Sequence, residues 1–304
     1  MSAPAVGPSM DGTVALVTGA SGAMGRVIAT GLAARGATVV LLVRTGTAGE
    51  TARRDITAAA PGAAVEVLVA DLARQQDVRR AAAQFAERHD QLHVLVNNAG
   101  AHFRQRTLDA DGVEAHLAVN HLAGFLLTNL LLDQLKAGAP SRIVNVASNS
   151  IADTRQVKIR RRPRPAVLNL HDLHSATGYE PMAVYARSKL AMVMCGYALA
   201  RRLAGSGVTV NAVHPGLAAT GVVDAIAPPL ATPFLGLIKR FLLTLEQGAQ
   251  AALHLATTPE LGTVTGKYFL KQVQSRTPDP SYDIALQEHL WRASADLVGI
   301  TAHP

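Results

Sequence analysis

Val14-Ala15-Leu16-Val17-Thr18-Gly19-Ala20-Ser21-Gly22-Ala23-Met24-Gly25 decides the fold. Val14 to Val17 read as a short buried strand, and the chain runs straight from it into a turn containing Gly19, Ser21, Gly22, Ala23, Met24 and Gly25. An amphipathic helical run follows to about Arg35, with Gly36 as its stop. Strand, glycine-rich turn and helix is the context that a dinucleotide-binding turn requires. Small residues let the backbone approach a pyrophosphate, and the free N–H groups of the helix start receive it. Glycines also make ordinary tight turns, so the reading depends on what the rest of the chain places beside this one. Two near-misses drop out. Gly19-Ala20-Ser21-Gly22-Ala23 lacks the final glycine of a nucleophile elbow. Gly262 to Lys267 is one residue short of a P-loop and has no Ser or Thr after the lysine.

Working outward, Thr38 to Val43 is a second strand, and Arg44 follows it. A site that prefers NAD usually places a carboxylate here to accept from the ribose hydroxyls. With Arg44 instead, nothing repels a 2′-phosphate and a guanidinium can bind it, so NADP(H) is the expected cofactor. Arg26 offers a second charge, and the competing reading leaves Arg44 as a solvated surface residue. Val65 to Ala70 is a third strand, followed by Asp71-Leu72 at a position suited to the adenine. Gln75 to Arg88 is helical, and His93 to Val96 is a fourth strand opening into Asn97-Asn98-Ala99-Gly100. This alternation predicts a single-domain, doubly wound α/β fold, a parallel sheet with helices on both faces. Ligands of such sheets bind beyond the carboxyl ends of the strands, where the glycine turn, Arg44, Asp71, Leu72, Asn98, Ala99 and Gly100 all fall.

The second half carries chemistry. Gly112 to Lys136 is apolar with helical spacing, interrupted by Asn120. A buried amide needs a partner or costs a few kcal/mol in desolvation, so Asn120 is either a satisfied core residue or a contact for water or a lysine. Arg142 to Ala147 is a fifth strand that delivers the Ser148 hydroxyl to the ligand edge. Tyr185 and Lys189, four apart on a helix, lie one turn from each other on one face. Moving a tyrosine from about 10 to ~7 takes roughly 4 kcal/mol. One charge about 4 Å away supplies that order of energy at an effective dielectric of ~20. Pro181 suits a helix start, which puts Tyr185 near the end where the dipole modestly favours a phenolate.

Composition narrows the partners. The 304 residues are 49% hydrophobic and 17% charged, enough for one large core, and no Ser/Gly-rich linker divides them. The lone cysteine, Cys195, excludes an internal disulfide and fits a reducing, cytoplasmic setting, and the first residues do not read as a secretory signal. The longest apolar stretches are too short, or too broken by Pro228, Pro229 and Pro233, to span a bilayer. The net charge of +7 is concentrated in Arg155, Lys158, Arg160, Arg161, Arg162 and Arg164. Pro163 and Pro165 make this a basic surface insertion over 152–167 rather than a nucleic-acid reader. His171 and His174 lack the further Cys or His that a metal site needs, so no metal is expected.

Thr18 to Gly25, Asn97 to Gly100, Asn120, Ser148, Tyr185, Lys189 and Pro215-Gly216 stand in the order seen in the short-chain dehydrogenase/reductase family, which the chain resembles over nearly its whole length. Val119 to Thr128, Tyr185 to Ala191, Val213 to Gly216, Gly266 to Phe269 and Leu290-Trp291 look like its retinol-dehydrogenase and WW-domain-oxidoreductase branch. The resemblance implies a Rossmann sheet and a role for each matching residue. Tyr185 would give a proton to a carbonyl oxygen or take one from an alcohol. Lys189 would hold the nicotinamide ribose and lower the tyrosine pKa. Ser148 would steady the developing oxyanion, and Asn120 would anchor a water leading from Lys189 to solvent. Pro215, Gly216 and Thr220 would border the nicotinamide.

Two departures stand out. Ala23 replaces the family's middle glycine, after Gly22 where serine is common, and the Ser148–Tyr185 segment is longer than usual. Residues 222–245, apolar and proline-interrupted, would lid the substrate site and imply an apolar ketone, aldehyde or alcohol. Plain packing, or membrane-surface contact beside Lys239-Arg240, are the competing readings. Residues 1–11 are expected to be a flexible N-terminus. Homodimers through helices near 112–136 and 181–204 are common in the family and are one option here. Reduction of a ring or C=C bond, or a catalytically silent NADP-binding sensor, are the alternative functions.

Overall fold

The computed structural model describes residues 8–155, 163–216 and 244–301. Eight strands form one sheet in the order β3-β2-β1-β4-β5-β6-β7-β8. They are β1 (Val14–Thr18), β2 (Thr38–Val43), β3 (Val65–Val69), β4 (Val94–Asn97), β5 (Ser141–Val146), β6 (Val208–His214), β7 (Lys267–Leu270) and β8 (Val273–Ser275). All neighbours are parallel except β7 and β8, a terminal antiparallel hairpin. The expected doubly wound α/β sheet is thus present as a single domain. The direction of strand order reverses between β1 and β4, which opens a crevice beyond their carboxyl ends.

Strand sequence explains the layering. Leu16, Val40, Leu42, Leu95 and Ile143 face one core, and their alternating neighbours Ala15, Val17, Val39, Leu41, Val96 and Val144 face the other. Both faces are buried, so the strands read as continuous apolar runs. Helices α1 (Ala23–Ala33), α2 (Gly46–Ala59) and α8 (Leu245–Thr257) cover the second face. In α1 the apolar Met24, Ile28 and Leu32 recur every four residues, and the chain leaves the helix through Gly36 at φ +96°. The first face carries α3 (Gln75–Ala86), the broken helix α4 (Ala115–Leu117), α5 (Ala123–Leu130) and α6 (Leu132–Ala137), then α7 (Pro181–Arg202) and α9 (Ile284–Leu297). Helix α7 is buried from Met182 to Ala200 apart from Arg187, which makes it the central pillar of that layer.

Between α4 and α5 the helix widens into a π turn over Ala118–Leu122, with Asn120 at its centre. One extra residue per turn is a device often found at functional sites. Helix α9 packs against α7 and reaches α5. There Trp291 meets Phe125 edge-on at 4.8 Å between ring centroids, and Arg202 lies 4.3 Å above the Trp291 ring. Met10, inside the stretch expected to be flexible, is buried, and its N–H donates to the Arg35 carbonyl at 2.7 Å. The stem of the basic insertion is fastened by Thr154 N–H to Arg164 O (2.8 Å) and by the Arg155–Asp153 ion pair (2.8 Å). Residues 156–162 and 222–243, and with them most of the basic stretch and of the expected lid, lie outside the described residues. At the end of that lid, Thr244 and Leu245 start α8, where Thr244 and Gln247 cap each other's backbone N–H groups.

Candidate active site

The crevice is built on Thr18, the last residue of β1. Its hydroxyl accepts from Asn98 N–H (3.0 Å) and Ala99 N–H (2.9 Å) and donates to Val96 O, so the turn after β4 is lashed to β1. The Asn98 side-chain amide adds a bond to Thr18 O at 2.9 Å. Gly19 sits at φ +64°, where a Cβ would lie 3.1 Å from Ala99 Cα. A Cβ on Gly25 would come within 2.4 Å of Gly19 O and 2.7 Å of the Asn98 amide, so only glycine packs there. Gly22, the N-cap of α1, has φ −73°, and Ala23 is not left-handed either. Backbone conformation therefore does not oppose the alanine that replaces the family's glycine. No side chain caps α1 and its first turn has no acidic residue, so the N–H groups at its start remain directed at the crevice beside Ser21, Gly22, Ala23 and Met24. This cradle fits a pyrophosphate on the chemistry of its donors.

Around that turn the other expected contacts fall along the same sheet edge. Arg44 is exposed at the end of β2, and α2 starts two residues on, capped by the Thr45 side chain at Ala48 N–H, with no acid in its first turn. Arg26 is tied to Asp55 at 2.6 Å, so its charge is shared with α2. Asp71 follows the end of β3 by two residues and caps Ala73 N–H at 3.1 Å, and Leu72 borders a small cavity with Thr18, Asn97, Ala99 and Asn120. Pro215 is buried and Gly216, at φ +91°, carries the chain away from β6. Thr220 lies outside the described residues.

The acid–base residues converge from three elements. Ser148 emerges two residues after β5, close enough to the Tyr185 phenol to oppose the upward shift of its pKa. Tyr185 and Lys189 share the inner face of α7, 6% and 3% exposed. The Lys189 ammonium donates to Val146 O at 2.9 Å. A Cβ on Gly100 would lie 3.0 Å from Lys189 Nζ and 3.3 Å from Asn120 Oδ1, so glycine here leaves both groups room. Asn120 is fully buried and satisfied by protein. Its Oδ1 accepts from Ala101 N–H (2.8 Å) and its amide donates to Ala101 O and Ser188 Oγ, both at 3.0 Å. The widened turn thus aims Asn120 at the chain just after Gly100.

The electrostatics correct one expectation. Lys189 was to draw the Tyr185 phenol toward neutral pH. Instead, burial pushes Tyr185 up to about 12, with only the Ser148 side chain opposing it. Burial also pulls Lys189 down to about 8. Counting an ammonium one turn away omits that the same burial desolvates both partners.

Four further residues were not singled out by sequence reasoning: His102 and His116 beside the Tyr185 ring, and Glu114 and Tyr179 in contact with His116. Glu114, fully buried, accepts from the His116 ring at 2.9 Å and from the His116 and Leu117 N–H groups. Burial would raise this carboxyl, but those hydrogen bonds outweigh it and hold it below its ordinary value. His116 Nε2 accepts from Phe103 N–H at 2.9 Å, and the Tyr179 hydroxyl donates to Gln105 O at 3.2 Å. His102 stands 5.6 Å from the Tyr185 ring, centroid to centroid. The only signal was Glu114-Ala115-His116, two ionisable groups at the head of an apolar run. Among the described residues no group of three or more His, Cys, Asp or Glu gathers as a metal site would require, and no helix is long and apolar enough to cross a membrane.

Comparison with known proteins agrees with this geometry. Residues 13–159 match the family model described as short chain dehydrogenase, and residues 151–270 match one described as enoyl-(acyl carrier protein) reductase. Human retinol dehydrogenase 12 is 38% identical over 291 residues, covering 96% of this chain and 88% of that protein. The crystal structure of an uncharacterized protein from Mycobacterium paratuberculosis superposes with a TM-score of 0.75 at 30% identity, over 98% of this chain and 97% of the other. The Pseudomonas aeruginosa RhlG/NADP active-site complex gives a TM-score of 0.65 at 27% identity, over 86% and 96%. With this sheet, this glycine turn and this near-complete likeness, the chain belongs to the short-chain dehydrogenase/reductase family, oxidoreductases that use a nicotinamide cofactor and act on alcohols and carbonyls.

Proposed function

We propose that this protein is an NADP(H)-dependent oxidoreductase that interconverts an apolar ketone or aldehyde with its alcohol, with Tyr185 as the general acid and base. The observation that carries this reading is the convergence of Ser148, Tyr185 and Lys189 at the ligand edge of the sheet, beside a cradle suited to a pyrophosphate. A bound nicotinamide would supply or accept the hydride. Everything else falls to this chain's own residues.

In reduction Tyr185 hands its proton to the carbonyl oxygen as that oxygen gains charge, and in oxidation it takes the proton from the alcohol. Ser148 donates to the same oxygen and steadies its charge. Lys189, anchored on Val146 O, would face the nicotinamide ribose of a bound cofactor and return a proton toward Tyr185. Gly19, Gly25 and the start of α1 would hold the pyrophosphate, with Asp71, Leu72, Asn98, Ala99 and Gly100 along the adenine and ribose side. Arg44 and the N-terminus of α2 favour a 2′-phosphate, because both present positive charge and no carboxylate stands between them. The name of the retinol dehydrogenase relative points the same way on substrate, to a long apolar alcohol.

The test follows reduced-nicotinamide absorbance with a panel of lipophilic ketones and aldehydes, using NADPH and NADH in parallel. Turnover with NADPH that disappears in Tyr185→Phe, while that variant still binds NADPH, is the expected result. Full activity in Tyr185→Phe refutes the role given to the phenol. Reduction of a C=C bond is the second reading. It is favoured by the match of residues 151–270 to the enoyl reductase model, and enones in the panel distinguish it by which bond is lost.

A further inference from the structure

We infer that His102 is a substrate-positioning residue, which pairs with a second oxygen on the carbon next to the reacting carbon. It thereby makes the preferred substrate an otherwise apolar carbonyl compound with one adjacent hydroxyl or carbonyl. The inference rests on the function proposed above and deepens it.

His102 lies two residues past Gly100 on the loop that leaves β4. Its neighbours are fixed from three directions. Ala101 is held through both its N–H and its C=O by Asn120, Phe103 N–H by His116 Nε2, and Gln105 O by Tyr179. His116 is itself locked on the buried Glu114 carboxylate at 2.9 Å. A loop fixed this closely presents one side chain in one place, the condition for a positioning group. The side chain presented is the imidazole beside Tyr185, with ring centroids 5.6 Å apart and the planes inclined at 56°.

Both ring nitrogens of His102 are buried, and neither has a protein partner. Buried polar groups are nearly always paired, and an unpaired one in a folded protein calls for an explanation. An aliphatic side chain would fill this place without leaving a donor and an acceptor unmet, and nothing in the loop requires an imidazole. Burial, with His116 and Arg104 nearby, pulls His102 down to about 4, so at neutral pH the ring is uncharged and offers one donor and one acceptor. A neutral imidazole beside the acid–base tyrosine suits an uncharged oxygen near the reacting centre. It would not favour a carboxylate or phosphate.

The experiment uses the full-length protein with NADPH and two ketones that differ only in a hydroxyl on the adjacent carbon. The kcat/KM ratio of hydroxylated to plain ketone is measured in wild type, in His102→Leu and His102→Met as apolar replacements of similar reach, and in His102→Gln, which keeps a donor and an acceptor. The expected result is a ratio that falls by about 10- to 100-fold in the apolar variants, chiefly through KM, and recovers in His102→Gln. Two apolar variants are used so that poor folding of one leaves the other to decide. A ratio within about threefold of wild type in the apolar variant that folds overturns the inference and leaves the reductase reading standing. Absence of turnover of either ketone by the wild type, in either direction, overturns both.

Discussion

Replacing Lys189 by methionine should abolish turnover and yet make the protein more stable, by an amount that depends on pH. Lys189 is 3% exposed, and burial lowers it from the ordinary 10.5 to about 8. At neutral pH the folded chain therefore carries an ammonium whose desolvation costs about 3 kcal/mol relative to the unfolded chain. Methionine removes that cost and fills the space, while stranding the Val146 carbonyl that the ammonium had satisfied at 2.9 Å. An unmet buried acceptor costs about 1–3 kcal/mol, so at pH 7 the net gain is on the order of 1 kcal/mol. The pH dependence is the sharper test. Below about 8 both folded and unfolded lysines are protonated and the penalty is constant. Between about 8 and 10.5 the unfolded chain keeps the proton and the folded chain sheds it, so wild-type stability rises with pH relative to the variant. Above 10.5 the penalty is gone. Urea unfolding of both proteins at pH 7, 8, 9 and 10 measures the difference directly, and the buried tyrosines, common to both, cancel. The variant's advantage should fall by up to ~3 kcal/mol across the series and so reverse into a deficit at the alkaline end. A difference that stays flat with pH would refute the claim that Lys189 is buried as a cation.

Three more outcomes follow from the same geometry. Ser148→Ala should lower kcat by about 10²–10³-fold in carbonyl reduction while leaving NADPH affinity near wild type, read by steady-state kinetics and cofactor fluorescence. Arg44→Asp should move the preference from NADPH toward NADH, read as the ratio of the two dissociation constants; an unchanged ratio removes Arg44 from the cofactor site. Gly25→Val should lower stability by about 1–3 kcal/mol, because its Cβ meets Gly19 O and the Asn98 amide. The same variant should weaken NADPH binding, and calorimetry with and without cofactor separates the two effects.

The sheet and its ligand edge were legible because their signals are local. Each strand of the first half is a short apolar run ending in a distinctive turn, and a parallel order with helices on both faces follows from alternation alone. Arg44, Asp71 and Asn98 could be assigned to one edge before any coordinates, since strand ends share it. The hairpin of β7 and β8 was not legible. Val273–Ser275 is a short, largely exposed edge strand without apolar alternation. The π turn was visible only as an asparagine interrupting an apolar run, because inserting one residue shifts the helical phase and blurs the periodicity on which such readings depend. Glu114, His116, Tyr179 and His102 are brought together by the start of α4 and two separate loops, which no spacing rule encodes. The Tyr185–Lys189 pair was legible as neighbours on one helix face but its electrostatics were not, since depth of burial is a property of the whole layer around α7.

Thr18 has a mechanical consequence. A hydroxyl has one proton to give and two lone pairs to offer, and this one uses all three, on Val96 O, Asn98 N–H and Ala99 N–H. The two strands on either side of the crevice are thereby pinned at the point where a ligand would wedge them apart. The floor of the site behaves as a welded joint, and any give that admits a substrate has to come from the walls above it. Thr18→Val, which keeps the shape and removes the fastening, would turn that joint into a hinge.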